Sequence, residues 1–590
     1  MNRPTIEDNC LTTTGIRYEP HEKPPVVLSL GLGLQLAVIS ATVTILIPTV
    51  VMRAAGAAEA HLAWAVFAAT FICGAATVLQ TARFGRVGMG QALMMGSSGA
   101  FIAVCITAAA EGGPALLATL VVVAALFQLL LSARLSLFRR IMTPAVSGTV
   151  IMLIPVTVMP VVFKMLSDVP DGSPAAAAPV SAVVTILVIL GASLKATGAL
   201  RLWAPVLGVA CGAVVAAPFG IYDMSGVAAS SWIGLPNGQW PGLAFDFGPA
   251  FWVLLPAFLL VALIGSIRTI SSSIAAQRTS WRRPRAVDFR AVQGAAAVDG
   301  IGNLVSGIAG TVPNTAYTTA VSVAELTGVA ARGLGVAAGV ILMALAFLPK
   351  ALALVVAIPA PVVGAYLSVI VAMLFVIGMK MVLQDGIDYR KGLVVGVAFW
   401  VGVGFQQGVV FPEYVAGFAG GLFHNGMTAG GLTAILLSAF LDLTEPRRRR
   451  IECELDVAGI PKIREFLSDF TSASGWNAAV GDRLAAAAEE SLLTLLQRRD
   501  AGGGEDGRQR LRLVAYKQDG GAILEFVAAP GAENLQDRMA LLAEQAGDVP
   551  GESEMSLWLL RHLSASVRHQ QYHDTDILTV RVEAPPGEDK

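Results

Sequence analysis

The sequence predicts an all-α membrane protein with about fourteen transmembrane segments, followed by a soluble α+β domain. The chain has 590 residues, of which 55% are hydrophobic and 14% are charged, whereas soluble domains carry roughly 25% charged residues. Apolar runs recur as far as residue 443. From Arg447 onward the chain is rich in charge and holds no run of the roughly 20 apolar residues that a spanning helix needs.

These runs divide the chain into a polar lead at residues 1–26, a membrane domain at 27–445 and a regulatory α+β domain at 446–590. The predicted segments lie at 27–52, 60–80, 92–110, 114–133, 143–163, 177–194, 202–220, 249–274, 296–311, 315–331, 333–349, 361–379, 392–410 and 425–443. Several of them are too short or too rich in glycine to be simple spanning helices, so other parts of the protein must cover their backbone.

The charges of the loops orient the membrane domain. If the N-terminus is cytoplasmic, the loops on the cytoplasmic side hold Arg83, Arg86, Arg134, Arg139, Arg140, Lys195, Arg201, the arginine cluster at 278–290, Arg332, Lys380, Arg390 and Lys391. The loops on the other side hold only Arg53, Lys164 and Lys350. Because cytoplasmic loops carry the excess of Lys and Arg, we expect a multi-pass protein of the inner (plasma) membrane with both termini cytoplasmic.

Two segments are interrupted by polar residues at corresponding places. One interruption is GSSGAF at 96–101 in the third segment, and the other is PNTAYT at 313–318 at the start of the tenth. They lie seven segments apart, as expected of two inverted repeats whose broken helices meet near the middle of the bilayer. A half-helix that begins there directs free N–H groups and a positive dipole end towards a bound ligand. Ser and Thr are also common contacts between membrane helices, but two matched clusters favour a binding site.

Several motifs in the membrane domain point to a known family. They are GLGLQL in the first segment, GSSGAF in the third, FRRIMTPAVSGTVIMLI entering the fifth, DGIGNLVSGIAGTVPNT across the ninth and tenth, LTGVAAR ending the tenth and IPAPVVGA in the twelfth. Over residues 27–443 the chain resembles the nucleobase–ascorbate transporters, or nucleobase–cation symporters, which include xanthine and uracil permeases. The resemblance implies two inverted repeats of seven segments, a core domain beside a gate domain, elevator-like movement of the core, a homodimer, and coupling to H⁺ or Na⁺ with no other cofactor.

The resemblance also implies where substrate binds, between segments three, eight and ten. The implied substrate-binding residues are Ser98, Gly99, Gly265, Arg268, Thr269, Tyr317, Thr318 and Thr319. Gln35 in the first segment, Asp299 in the ninth and Asn314 at the tenth-segment entry match positions used for ion coupling or for structure. Asp299 is expected either to relay protons or to hydrogen-bond neighbouring helices.

The chain departs from the family pattern at positions that bind the substrate. The resemblance places a glutamate of the eighth segment at Gly265, and a glutamine or glutamate followed by asparagine at Thr319 and Ala320. Arg268 lies three residues after Gly265, on about the same helix face. An arginine within a span is usually functional, although it can also extend along the helix to the cytoplasmic surface. If Arg268 faces the site, the expected ligand is anionic, such as urate or a small organic anion, and not neutral uracil.

The residues after 446 alternate between strand and helix patterns. RIECELDV, RLRLVAYK, AILEFVAA and DILTVRVEA are predicted strands, and PKIREFLSDFTSAS, AAVGDRLAAAAEESLLTLLQRR and SEMSLWLLRHLSASV are predicted helices. RHQQYHDTD at 568–576 is predicted to be a surface turn and not a metal site. The order loosely resembles a degenerate GHKL ATP-binding domain of the anti-sigma-factor kinase type. Glu489 and Glu490 match its acidic helix, whereas Thr494 or Leu493 replaces its metal-binding asparagine. An unrelated α+β regulatory module is an equal alternative.

Together these features predict a secondary-active transporter of a nucleobase-like substrate or small organic anion, of the xanthine, urate or uracil class. The alternative is a membrane sensor with a transporter fold that signals through its C-terminal domain. An enzyme is not expected, because the segments hold no nucleophile–base pair and no cluster of metal ligands. The expected partners are a small-molecule substrate, the lipid bilayer and a second copy of the chain; no nucleic acid is expected.

Overall fold

The computed structural model describes residues 15–138, 143–222, 224–236, 238–283, 285–383, 388–410, 426–444, 448–501, 510–518, 521–529, 534–544 and 555–583. The chain divides into two compact units. The first comprises Met1–Arg283 and Ala291–Ala439, and the second comprises Pro284–Arg290 and Phe440–Lys590. The chain therefore passes between the units three times, and one of these excursions is a segment of only seven residues.

The first unit is mostly helical. Its helices are α1 (Val26–Ala54), α2 (Glu59–Ala82), α3 (Ile102–Ala133), α4 (Leu135–Phe138), α5 (Pro144–Leu166), α6 (Ala177–Lys195), α7 (Ala199–Ala216), α8 (Ser225–Ala229), α9 (Pro249–Thr279), α10 (Phe289–Ala309), α11 (Thr319–Thr327), α12 (Arg332–Ala346), α13 (Pro349–Val356), α14 (Ala360–Leu383), α15 (Tyr389–Gln406) and α16 (Gly426–Thr444). Within the described ranges, eight helices are long and apolar enough to cross a membrane, and the bent pair α12–α13 can count as a ninth.

The predicted third and fourth segments meet at a sharp break in α3. Two helical stretches join at Gly113, which has non-helical backbone angles with a φ of 73°, and Pro114 follows. Proline cannot donate the helical hydrogen bond, and glycine accepts a positive φ without steric cost. The two residues therefore bend the helix where the sequence predicts separate segments at 92–110 and 114–133.

Helix α5 shows how the sequence sets a helix boundary. The Thr143 side chain accepts a hydrogen bond from the Val146 N–H at 3.3 Å, and Pro144 occupies the first helical position. A hydroxyl cap satisfies one of the free N–H groups at a helix start, and proline has no N–H to satisfy. The TPAV motif therefore begins α5 within the predicted fifth segment.

Two short strands interrupt the helices of the first unit. They are β1 (Met94–Ser97) and β2 (Asn314–Tyr317), and they pair antiparallel with Met94 opposite Tyr317 and Ser97 opposite Asn314. All eight residues are buried. The two interruptions that the sequence identifies are therefore in direct contact within this unit.

The second unit contains an antiparallel sheet with helices. Its strands are β3 (Arg449–Glu454), β4 (Arg510–Gln518), β5 (Gly521–Ala528), β6 (Ser566–Gln571) and β7 (Asp576–Glu583), in the order β3-β4-β5-β7-β6. Its helices after α16 are α17 (Ile460–Ala473), α18 (Ala478–Ala501), α19 (Leu535–Glu544) and α20 (Met555–Leu563). Leu513, Phe526 and Leu578, from three neighbouring strands, are fully buried in one apolar core.

The strands of this sheet follow the alternation that the sequence shows. Leu511, Leu513 and Ala515 of β4 are fully buried at every second position, as expected when one sheet face packs against helices. The prediction that residues 568–576 form a turn is wrong in its first half, because residues 568–571 are the end of β6. The sequence analysis also missed α19.

Candidate substrate site

The site is built around the ribbon formed by β1 and β2. Each strand leads directly into a helix, β1 through the 3-10 turn Gly99–Phe101 into α3, and β2 into α11. Because the strands are antiparallel, the two helix starts lie at opposite ends of the ribbon, about 10 Å apart for three steps of roughly 3.3 Å. Neither Ser98 nor Thr318 caps its helix with a side-chain hydrogen bond. The positive ends of two helices therefore flank one small buried region.

Tyr317 lies across this ribbon on the empty face of Gly96. A Cβ built at Gly96 would lie 2.3 Å from the Tyr317 ring, so only glycine fits at this position. The Tyr317 hydroxyl donates a 2.5 Å hydrogen bond to the carbonyl of Ser97, and the Ser97 hydroxyl donates to the carbonyl of Thr44 on α1 at 2.8 Å. The ribbon, the tyrosine and α1 are thus tied to one another.

Helix α9 presents small residues and one cation to the same ribbon. The Thr269 hydroxyl accepts from the Ala316 N–H at 3.4 Å and lies 3.4 Å from the Thr315 hydroxyl. The Arg268 guanidinium carbon lies 5.8 Å from the centroid of the Tyr317 ring, within the range of a cation–π interaction. Arg268 therefore turns towards the ribbon. The contact favours the interpretation in which Arg268 faces the ribbon over the one in which it extends along the helix to the cytoplasmic surface.

Gly265 lies three residues before Arg268 on α9, and a side chain at this position would point towards Gln128 and Phe101. A Cβ added there would meet only Gln128 at 3.4 Å and Phe101 at 3.7 Å, which are ordinary contact distances. Where the family pattern places a glutamate, this chain therefore has a small space that Gln128 borders. Arg268 therefore has no carboxylate at position 265 to neutralise it.

A buried amide network holds the only carboxylate that the sequence analysis found in this part of the chain. Asp299 on α10 is fully buried, and its Oδ2 accepts from the Gln128 side-chain amide at 3.2 Å. The same amide group bonds the Ala262 carbonyl at 3.0 Å, and the Asn303 amide donates to Gln128 Oε1 at 2.8 Å. Asn303 Oδ1 then accepts from the Asn314 N–H at 2.6 Å. Asp299 is thus connected through two amides to the start of β2.

Four side-chain oxygens around the ribbon are buried without a hydrogen-bond partner in the described part of the chain. They are Ser98 Oγ, Asp299 Oδ1, Asn314 Oδ1 and Thr319 Oγ1. A buried polar atom without a partner costs roughly 1–3 kcal/mol, so such atoms are rare unless something else binds there. Ser98 and Thr319 lie at the two helix starts, where a polar ligand would satisfy their hydroxyl groups.

The remaining predicted residues differ in their surroundings. Gly99 is half-buried with open space on its Cβ side, where the nearest atom is in Ile47 at 3.9 Å. Thr318 is exposed at the start of α11. Gln35 is half-buried on α1, and within the described ranges it forms no hydrogen bond with the ribbon. The structure therefore brings Gly99 and Thr318 to the helix starts but gives Gln35 no part in the network.

The sequence analysis missed Gln128, Asn303 and Thr315. The signal for Gln128 is its position as a lone amide in the apolar run at 114–133. Polar residues within spans pair with one another or line pathways. Asn303 lies four residues after Asp299 and one helical turn further along α10, so a search for same-face polar neighbours would have identified it.

Comparison with known proteins relates most of the membrane domain to a family of permeases. The model of the Permease family, Xan_ur_permease, matches residues 28–410. The xanthine permease XanP of Escherichia coli strain K12 is 27% identical over 440 residues, covering 71% of this chain and 93% of the permease. The uric acid permease PucK of Bacillus subtilis strain 168 is 27% identical over 429 residues, covering 71% of this chain and 97% of that permease. Among solved structures, SLC26A9 has a TM-score of 0.47 at 10% identity, covering 82% of this chain and 78% of that one.

The match with the family model ends at residue 410, before Phe440–Lys590, the longer of the two segments of the second unit. The two permeases are covered almost completely by 71% of this chain, so the remainder has no counterpart in them. The match with the family model covers well over half of the chain, and it includes the ribbon and α9 to α11. Permeases move solutes across membranes and catalyse no reaction. The chain belongs to the Permease family and is a multi-pass membrane transporter, not an enzyme.

Proposed function

We propose that this transporter carries an anionic nucleobase of the urate or xanthine class, bound between the ribbon, α9 and the starts of α3 and α11. The observation that carries the proposal is the position of Arg268, whose guanidinium lies over the ring of Tyr317, a residue of the ribbon. Relatives named for xanthine and uric acid support the substrate class. Urate is negatively charged at neutral pH, which suits a cation and two positive helix ends.

Each group around the ribbon has a role in this proposal. Arg268 binds the exocyclic oxygens or the delocalised charge of the ligand, and Tyr317 holds the guanidinium in place. Ser98 and Thr319 offer hydroxyl groups that lack partners in the described chain and can donate to exocyclic oxygens. A glutamate at position 265 would accept N–H groups of a neutral base, so its absence disfavours uracil.

The membrane architecture of the proposal is that of the family. We propose fourteen segments in two inverted repeats, with elevator-like movement of a core domain, a homodimer, and both termini cytoplasmic in the plasma membrane. The pairing of β1 with β2 supports the repeats, since broken helices of the two repeats meet at the midplane in such folds. Residues 446–590 would then form a cytoplasmic regulatory domain, a degenerate relative of GHKL ATP-binding domains.

Asp299 is proposed to couple transport to H⁺ or Na⁺. Its Oδ1 is buried without a partner in the described chain. Its Oδ2 bonds Gln128, whose amide borders Gly265 on the helix that carries Arg268. A proton or cation that binds Asp299 would change the charge balance beside Arg268. Ligand binding and ion binding would thereby influence each other.

The test is uptake of labelled urate, xanthine and uracil by proteoliposomes that contain the full chain. We expect urate or xanthine uptake, with the KM for urate raised roughly tenfold to hundredfold in Arg268→Met, the range for loss of a hydrogen bond to a charged group. Arg278→Met is the matched control, because Arg278 is an exposed cation at the end of the same helix. Urate binding without uptake would contradict the transporter and favour a sensor. Equal loss in both variants would contradict the role of Arg268.

A further inference from the structure

The second unit includes one segment that comes from the middle of the membrane domain. Residues Pro284–Arg290 belong to this unit, although they connect α9 to α10. These are the two helices that carry Arg268 and Asp299. We refer to Pro284–Arg290 as the α9–α10 connection.

One end of the connection is held by helix α19. The backbone N–H of Ala286 donates a 2.6 Å hydrogen bond to Oδ1 of Asp537, which lies in the first turn of α19. A hydrogen bond to a carboxylate is shorter and stronger than one between neutral groups. The bond uses the backbone of Ala286, so it fixes the path of the chain and not merely a side chain.

The other end is held at the turn between β6 and β7. The Phe289 ring packs on the Tyr572 ring with centroids 5.3 Å apart. The Arg290 Nε donates to the Tyr572 carbonyl at 3.4 Å, and the Arg290 guanidinium lies 3.9 Å from Asp576 Oδ1. Three different kinds of contact therefore meet at two consecutive residues of the connection.

A buried histidine links the two ends. His569 and Asp576 are almost wholly buried, and His569 Nε2 lies 3.5 Å from Asp576 Oδ2. His569 Nδ1 accepts a 3.2 Å hydrogen bond from the N–H of Leu535, the first residue of α19. Helix α19 thus contacts the connection directly, through Asp537. It is also linked to Arg290 of the connection through His569 and Asp576. The contacts of the connection therefore lead to two buried side chains of the sheet, those of His569 and Asp576.

The chain also ties the second unit to α16. Helix α16 ends at Thr444 and β3 begins at Arg449, and four intervening residues can span less than about 20 Å. The second unit therefore follows α16 directly along the chain, and it also includes the α9–α10 connection. In the proposed elevator movement, α9 and α10 move with the core domain, because they carry Arg268 and Asp299.

We propose that the second unit is an autoinhibitory clasp whose ligand is the α9–α10 connection. In each transport cycle the contacts at Ala286 and Arg290 must loosen before the helices that carry Arg268 and Asp299 can move. Weakening the clasp accelerates transport, and any signal that the second unit receives acts by tightening or loosening it. This inference rests on the proposed function for its effect on uptake, but the recognition of the connection stands on the contacts within the second unit.

The test compares Asp537→Ala with Asp537→Asn in the full chain. Asparagine keeps an Oδ1 that accepts the Ala286 N–H, whereas alanine removes the acceptor. We expect the maximal rate of labelled urate uptake in Asp537→Ala to rise about fivefold, the factor that corresponds to one hydrogen bond, with KM unchanged. Asp537→Asn should stay near the native rate. Glu465→Ala, which removes an exposed carboxylate of α17 in the same unit, is the control and should have no effect.

Hydrogen exchange on the same samples reports the clasp directly. We expect the amides of residues 285–290 to lose protection in Asp537→Ala and to keep it in the other two variants. Released amides with an unchanged or slower uptake rate would overturn the inference, and so would undiminished protection in Asp537→Ala. If Asp537→Ala does not fold, Ala286→Pro removes the donor N–H and leaves α19 intact, with the same expected results. Failure of the proposed function would instead abolish uptake in the native chain, while the exchange measurement would still report the clasp.

Discussion

Replacing Gly96 with alanine tests whether the ribbon positions the substrate site. The added Cβ would lie 2.3 Å from Tyr317 Cε2, 2.4 Å from Cζ and 2.7 Å from the hydroxyl oxygen. Ordinary contacts begin at 3.4 Å, so the ring must move by about 1 Å. Both strands are buried, and overpacking of a buried site costs about 1–3 kcal/mol of the free energy of unfolding.

Displacing the Tyr317 ring would also break two contacts that position the ligand site. Its hydroxyl would leave the Ser97 carbonyl, and its ring would leave the Arg268 guanidinium. A charge-assisted contact from Arg268 to the ligand contributes about 1.5–3 kcal/mol. If the shift removes that contact, the KM for urate rises by at least about tenfold.

The assay is uptake of labelled urate by proteoliposomes, with a double-mutant cycle as its internal check. Gly191→Ala on α6 is the matched control, because a Cβ there contacts nothing within 4 Å. Tyr317→Ala makes room for the new methyl group, so adding Gly96→Ala to it should cost little more than Tyr317→Ala alone. A native KM in Gly96→Ala, or full additivity in the double variant, would refute the reasoning.

Three further predictions concern other parts of the chain. Gly302→Ala places a Cβ 2.8 Å from Asn314 Nδ2, so we expect the free energy of unfolding to fall by about 1–3 kcal/mol. The measurement is the melting temperature in detergent, which should be lower than that of the native chain, and an unchanged melting temperature would contradict the prediction. The hydrogen bond from Arg282 lowers the pKa of Glu22. This ion pair is therefore complete above the ordinary pKa of glutamate and is lost as pH falls through the lowered pKa. Protection of the amides of residues 17–19 against exchange should fall over the same pH range, and in Glu22→Gln it should not depend on pH in this way. Burial raises the pKa of the Cys453 thiol, so alkylation at pH 8 should be much slower in the folded chain than in denaturant, and equal rates would contradict it.

The sequence predicted the parts of the site but not their pairing. The interruptions at 96–101 and 313–318 were identified from glycine, proline and hydroxyl residues inside apolar runs. That they form paired strands was not predictable, because Met94 and Met95 show no strand alternation and the pairing partner lies more than two hundred residues away. Only the folded chain brings Gly96 under the ring of Tyr317.

The surroundings of the individual candidate residues also depend on contacts between elements that are distant in the sequence. Arg268 had two plausible directions along α9, and the choice depended on a ring contributed by another element. Asp299 was identified as a lone acid, but its partner Gln128 belongs to α3, and no local pattern links the two. Gln35 was proposed from the resemblance and remains an untested prediction, since no hydrogen bond connects it to the described ribbon.

The strands of the second unit were predictable where apolar and polar residues alternate, and not where the buried positions are polar. Leu511 and Leu513 on β4 show the period of two, and the sequence analysis found that strand. Strand β6 carries His569 and Gln571 at its buried positions, so it lacks the apolar signal. The assignment of Pro284–Arg290 to this unit also depends on tertiary contacts alone, since its sequence indicates only a basic loop.

The central claim is that this chain transports an anionic nucleobase and that Arg268 binds its negative charge. Counterflow in proteoliposomes tests it most directly: vesicles loaded with unlabelled urate are diluted into labelled urate, and uptake of the label is followed with time. We predict transient accumulation of label in the native chain, competed by external urate or xanthine but not by uracil, and little accumulation in Arg268→Met. The absence of counterflow with urate and xanthine in correctly reconstituted native protein, or competition by uracil as strong as by urate, would contradict the account.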